Sequence, residues 1–269
     1  MNNPAVRYLP QAAFQGVVVE TSAIRISALG DGFMFGHGLF ETIKVAAGWP
    51  VVFEDHVARL RRSAAALGLA FDGNPERLRT LCGNVIAANN LVDGNLKLVL
   101  FQDAGGMGEI VLARSGVYPK ETYARGFRLT VETVMGRPAL AAHKTLNYFE
   151  NIAAKRRAIE TGFDEPIFVD IAGEIFEGAT TNLFMVKAGR VYTPPTDGRI
   201  LPGIARDRVL HSLGAKALQI AISWQQLREA DEVFVTNALL GVMPVAEIDG
   251  ACFDLTKNPV THELMAALA

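Results

Sequence analysis

The chain has 269 residues, half of them hydrophobic and a fifth charged, with a net charge of −2; this suits one large domain or two smaller ones, and the lack of a basic block or stripe argues against a nucleic-acid partner. No apolar run approaches the ~18 residues of a membrane span, and Met1-Asn2-Asn3-Pro4-Ala5 lacks the charged and apolar regions of a secretion signal. Cys82 and Cys252 stand far apart with no CxxC, so two incidental thiols in a reducing, cytoplasmic setting are expected.

In chain order, Gly48-Trp49-Pro50 reads as a hairpin turn between strands Phe40–Ala46 and Val51–Phe53. A helix is predicted from Asp55, with Val57, Leu60, Ala64 and Leu67 at helical spacing and Gly68 to stop it. Pro75–Asn89 forms a second helix with Leu78, Leu81 and Val85 on one face, followed by strands Asn95–Phe101 and Glu109–Val117. The turn-rich stretch Tyr118–Gly126 is the predicted domain boundary, dividing the chain into residues 1–118 and 119–269. Beyond it come strand Phe127–Val134, a loop with Gly136-Arg137-Pro138, and a helix from about Tyr148 to Glu160. Pro166–Asp170, Glu174–Phe176, Asn182–Lys187, Arg190–Tyr192 and Glu232–Thr236 read as strands. Helices are expected from Ile204 to Leu213, where Gly214 can cap, and over His262–Leu268. Strands and helices interleave without a regular βαβ period, which indicates α+β rather than a doubly wound sheet.

Five places carry chemistry. Lys144, in His143-Lys144-Thr145-Leu146-Asn147, can form a Schiff base, and Glu177, in Phe176-Glu177-Gly178, can hold a pyridinium nitrogen protonated; pyridoxal phosphate needs both. Arg59 can clamp phosphate oxygens in a bidentate fork. Gly203-Ile204-Ala205 opens a helix, where unpaired N–H groups suit a phosphate. Thr236-Asn237 ends an apolar strand, and its hydroxyl and amide could complete a phosphate cup. Taken singly, each has an ordinary reading: solvated Lys, Glu or Arg, an empty helix start, a common turn. Other signals fail. Gly30–Gly36 lacks GxGxxG spacing, Gly105-Gly106-Met107-Gly108 is not followed by Lys-Ser/Thr, and the five histidines lack metal-ligand spacing, so no metal is assigned.

Together, and in their order along the chain from Arg59 to Thr236, the five motifs resemble the fold-type IV pyridoxal-phosphate enzymes, the class IV aminotransferase family. That family includes branched-chain aminotransferases, D-amino acid aminotransferases and 4-amino-4-deoxychorismate lyases. The resemblance runs from Phe35-Gly36-His37-Gly38-Leu39-Phe40-Glu41-Thr42 to Pro244-Val245-Ala246-Glu247-Ile248-Asp249-Gly250. It implies that Lys144 binds pyridoxal 5′-phosphate, that Glu177 partners the pyridine, and that Arg59, Ile204, Ala205 and Thr236 hold the phosphate. It also implies a two-domain α+β fold like that of D-amino acid aminotransferase, with the cofactor between an N-terminal and a cofactor-binding C-terminal domain. A small amine or amino acid substrate is implied, and a homodimer whose site the neighbouring subunit completes.

Three features resemble the lyase branch: Thr42, where a threonine assists proton transfer; Lys144-Thr145-Leu146-Asn147; and Asn237-Ala238-Leu239-Leu240-Gly241-Val242-Met243-Pro244-Val245. They imply a lyase that eliminates pyruvate and leaves 4-aminobenzoate, a folate precursor. The alternative is a transaminase, of branched-chain or D-amino acid type, that passes the amino group to a 2-oxo acid. His37 departs from the usual Asp, and Phe101–Gly106 lacks the arginine that handles substrate carboxylate in several members. Lys97, Lys44 and Arg137 remain as alternatives for that charge.

Overall fold

Strands β1 (Arg7–Phe14) and β2 (Val17–Glu20) begin an antiparallel sheet that a short helix, α1 (Asp31–Phe35), separates from its next strands. These are β3 (Gly38–Ala46) and β4 (Trp49–Pro50); helices α2 (Phe53–Ala66) and α3 (Pro75–Ala88) then lead to β5 (Gly94–Asp103) and β6 (Gly106–Ser115). The sheet order is β2-β1-β6-β5-β3-β4. The computed structural model describes residues 7–268, and residues 7–117 together with His143–Asn147 form one of its two units.

Period-two alternation gives this sheet a core face and an open face. Leu39, Ile43 and Val45 of β3, Leu96, Leu98 and Leu100 of β5, and Val111 and Ala113 of β6 pack on Val57, Leu60 and Ala64 of α2 and Leu78, Leu81 and Val85 of α3. The helical faces are those the spacing predicts, apart from Leu67, which lies past the end of α2 and is partly exposed. Asn74 starts α3 by accepting from the N–H groups of Glu76 and Arg77, a standard N-cap. The expected hairpin differs in detail. Trp49-Pro50 is the returning strand, and Val51–Phe53 is not one. Val52 turns to φ 47° and Phe53 opens α2, because its ring belongs to the core under the sheet.

The second unit comprises Tyr118–Ala142 and residues 148–268. Helix α4 (Lys120–Arg125) lies in the stretch read as turns; β7 (Phe127–Val134), α5 (Phe149–Glu160) and β8 (Glu165–Asp170) follow. Strands β7 and β8 are parallel, as a helical crossover requires, and Lys144 lies in the β7–α5 connection. Then come β9 (Glu174–Gly178), β10 (Asn182–Lys187), β11 (Arg190–Thr193), α6 (Ile204–Leu213), β12 (Ala217–Gln219), β13 (Ile222–Ser223), α7 (Trp224–Arg228), β14 (Glu232–Asn237), β15 (Gly241–Ile248), β16 (Ala251–Cys252) and α8 (Pro259–Ala267). The terminal helix begins three residues before the expected His262, with Pro259 in its first turn. The strands run in the order β12-β11-β10-β14-β15-β7-β8-β9-β13, with β16 beside β15. Phe184 and Phe234 stack at 4.8 Å on neighbouring β10 and β14. The fold is mixed α+β, and among the described residues no helix is long and apolar enough to cross a membrane.

Candidate active site

Lys144 is held by the edge of β3. The Phe40 N–H donates to the Lys144 carbonyl at 2.8 Å, the Leu146 N–H donates to the Gly38 carbonyl at 3.0 Å, and Leu39 bridges Thr145. The Asn147 amide donates to the Gly36 carbonyl, and the His143 ring bonds the Ser63 hydroxyl of α2 at 3.0 Å. Main-chain bonds thus seat the lysine, whatever its side chain does. Its Nζ lies 4.4 Å from the centre of the Phe40 ring, and Lys97 Nζ lies at the same distance from that ring, within cation–π range. Thr42 stands on the same face of β3 as Phe40, two residues on, and directly opposite Lys97 in register. Burial, and secondarily the charge of Arg114, lowers the pKa of Lys97.

Arg59 points inward from α2. Its Nε and Nη2 donate to the two oxygens of Glu41 at 2.9 and 2.6 Å, and His56 Nδ1 lies 2.7 Å from the same carboxylate. Burial acts to raise the Glu41 pKa, but the Arg59 charge and the bonds from His56 and Arg59 outweigh it and hold the carboxyl down at about 2. Neither Glu41 nor His56 was singled out in the sequence, yet the signal is there. In Leu39-x-Glu41-x-Ile43-x-Val45, an acid occupies a core-facing position of a strand, and a buried charge demands a partner.

In the other unit Glu177 sits on β9, where the pairing with β8 slips: three residues of β8, from Ile167 to Val169, oppose four of β9, from Gly178 to Ile175. Such a bulge re-aims side chains, and Phe176 and Glu177 are both buried. Glu177 Oε2 accepts from the Leu201 N–H at 3.0 Å and from Asn182 Nδ2 at 3.2 Å, while Arg137 Nη2 lies 3.4 Å from Oε1. Arg137 also pairs with Glu150 and lies over the Phe168 ring, its side chain 3% exposed. It therefore stands as a partner of Glu177, whereas Lys97 and Lys44 both lie on the open face of the first unit's sheet.

Ile204 and Ala205 form the first turn of α6, whose N-cap, Gly203, supplies no side-chain bond. Thr236 is fully buried in β14, and its Oγ1 has no hydrogen-bond partner among the described residues. Asn237 behaves as a turn residue: Oδ1 accepts from the N–H groups of Leu239 and Leu240, and Nδ2 donates to the Thr180 carbonyl. Its side chain is thereby taken up by the β14–β15 turn, so any phosphate contact from it would come through the main chain.

The profile of the amino-transferase class IV family matches residues 38–248. The chain belongs to this family. Class IV aminotransferases are pyridoxal-phosphate enzymes, so this one is too. The chain is 28% identical to the branched-chain-amino-acid aminotransferase of Salmonella typhimurium, over 94% of this chain and 90% of that protein. To the D-alanine aminotransferase of Bacillus licheniformis it is 27% identical, over 95% and 94%. A Legionella pneumophila crystal structure, provisionally described as a 4-amino-4-deoxychorismate lyase, superposes with a TM-score of 0.84 at 26% identity, covering 92% of this chain and 96% of that one. The residues of this class IV member are compatible with its cofactor: the Thr236 hydroxyl is buried without a hydrogen-bond partner among the described residues, and the N-cap of α6 supplies no side-chain bond to the helix start, where a phosphate would be accommodated.

Proposed function

We propose that the protein is a pyridoxal-phosphate-dependent 4-amino-4-deoxychorismate lyase, releasing pyruvate and 4-aminobenzoate. The observation that carries this reading is the open face of the first unit's sheet, where the Lys144 amine and the Lys97 ammonium flank one aromatic ring and Thr42 faces Lys97 in register. A base, a hydroxyl and a fixed cation are the groups needed to eliminate a carboxylate-bearing side chain from a ring.

Lys144 would bear the cofactor, Glu177 would face its ring nitrogen, and Arg59, the first turn of α6 and Thr236 would face its phosphate. When bound, pyridoxal phosphate supplies an aldehyde that condenses with amines and a protonated ring that withdraws electrons from the adjoining carbon. The Lys144 amine takes the proton from C4 of the substrate, the carbon that carries the amino group. The C3–O bond to the enolpyruvyl group breaks and the ring becomes aromatic. Thr42 delivers a proton to the departing group, which leaves as pyruvate, so no oxidant or acceptor is consumed. Lys97 holds a substrate carboxylate, and the Phe40 ring screens the lysines from water.

A transaminase is the second reading, favoured by the relatives named as branched-chain and D-alanine aminotransferases. One experiment separates the two. Purified holoenzyme is given 4-amino-4-deoxychorismate alone, and separately D-alanine, L-alanine, L-glutamate and L-leucine without an acceptor. Equimolar pyruvate and 4-aminobenzoate, with an unchanged visible spectrum in all four amino acids, supports the lyase. Full conversion of the cofactor to its amine form by one amino acid, with no 4-aminobenzoate formed, identifies a transaminase. Lys144→Ala and Lys144→Arg should each abolish turnover, because neither offers a neutral amine near pH 7; near-normal rates in either would refute the assignment of Lys144.

A further inference from the structure

Three of the groups proposed as cofactor contacts meet at one residue that has no assigned role. Asn182 opens β10 and is 4% exposed. Its Nδ2 donates to Glu177 Oε2 at 3.2 Å and to the Leu201 carbonyl at 2.9 Å, while the Leu201 N–H returns to the same Oε2 at 3.0 Å. Its Oδ1 presses on the start of α6: a methyl group at Gly203 would fall 2.0 Å from it. Across the sheet, Asn182 stands opposite Thr236 in the β10–β14 register.

We propose that Asn182 is a positioning residue that fixes the Glu177 carboxylate and the first turn of α6 relative to each other. The proposal rests on the reading of Glu177, Ile204 and Thr236 given above. A carboxamide is rigid and planar, with donor and acceptor about one group width apart. One end holds the carboxylate oxygen; the other sets how closely the backbone at Gly203 can approach. Through this residue the ring-nitrogen partner and the phosphate-facing N–H groups keep one separation, that of a single bound cofactor. Aspartate would keep the oxygen against Gly203 but lose the donor to Glu177 and add a second negative charge. Serine would be too short to do both.

The test reads two signals from the cofactor-loaded protein: the 31P resonance of the bound phosphate and the visible absorption band, which follows the surroundings of the ring. Asn182→Ser should move both signals and weaken cofactor retention about tenfold or more, the scale of a lost hydrogen bond to a charged group. Asn182→Asp should move the absorption band and leave the 31P resonance in place. Wild-type signals in both variants overturn the proposal, as does a change confined to melting temperature. If Asn182→Ser does not fold, the Asp variant decides alone: a shifted band with an unshifted resonance supports the proposal, and any other pattern overturns it. Glu177→Gln and Thr236→Val test the underlying reading, the first expected to move only the band and the second only the resonance. Silence in these two refutes the contact assignments themselves, whereas silence in the Asn182 variants alone refutes only the positioning role.

Discussion

Glu41 occupies a position where a carboxylate is costly, 1% exposed within the first unit, and it stays charged because Arg59 and His56 stand against it. Its folded pKa, about 2, is below the ordinary 4.5. A depressed acid contributes stability that is complete above its unfolded pKa and is lost as the pH falls through the folded one. Unfolding free energy should therefore drop as pH falls from about 4.5 toward 2, and urea titrations of Glu41→Gln should show a flatter profile across that window. Near neutral pH the same variant should be about 3 kcal/mol less stable, the scale for breaking a buried ion pair from one side. At this level the sequence shows which side chains have the right chemistry, and Lys144, Arg59, Glu177 and Thr236 were singled out for that reason. It shows much less of what orients them. Glu41 meets Arg59 eighteen residues away, and Asn182 reaches Gly203 through a backbone approach that no spacing rule encodes. Asn237 illustrates the reverse: its residue type fits both a phosphate cup and a turn, and its amide oxygen caps the turn.

Strand β3 shows why element boundaries were harder to read than element types. Helices α2 and α6 and strands β7 and β10 announce themselves through periodicity and lie at or within two residues of their expected starts. Strands β1, β2 and β15 carry little alternation of their own; β1 is set by its long-range pairing with β6 and β15 by its pairing with β7, while β2 returns on β1 as a hairpin. The pairing of residues 144–146 along β3 is equally non-local, and it depends on Gly38. A methyl group there would fall 2.3 Å from the Leu100 carbonyl oxygen and 2.6 Å from the Leu146 side chain. Gly38→Ala should destabilise the protein by about 1–3 kcal/mol, the usual cost of overpacking, read as a lower urea midpoint. An unchanged midpoint would mean that β3 and β5 separate without strain.

At the scale of the molecule, the chain passes from one unit to the other after Val117, returns for His143–Asn147 alone, and leaves again at Tyr148. A five-residue return is too short for a shift in composition or a linker signature to reveal it, and a single cut near residue 118 does not include it. The return has a measurable consequence. A fragment of residues 118–269 has no β3, so the main-chain groups of Lys144 and Leu146 lose their partners. Trypsin should cut after Lys144 in that fragment about tenfold or more faster than in the cofactor-free full chain, since cleavage follows local opening. Equal rates would show that the β3 pairing does not protect the segment.

The contact between Asn182 and Gly203 also constrains how this sequence can change by descent. A side chain at position 203 would overlap the asparagine oxygen where it now stands, so the asparagine must swing away or be shortened. Either step disturbs the donor to Glu177. Exchange of the glycine is therefore expected to go with exchange of the asparagine, and the two positions should be inherited as a pair.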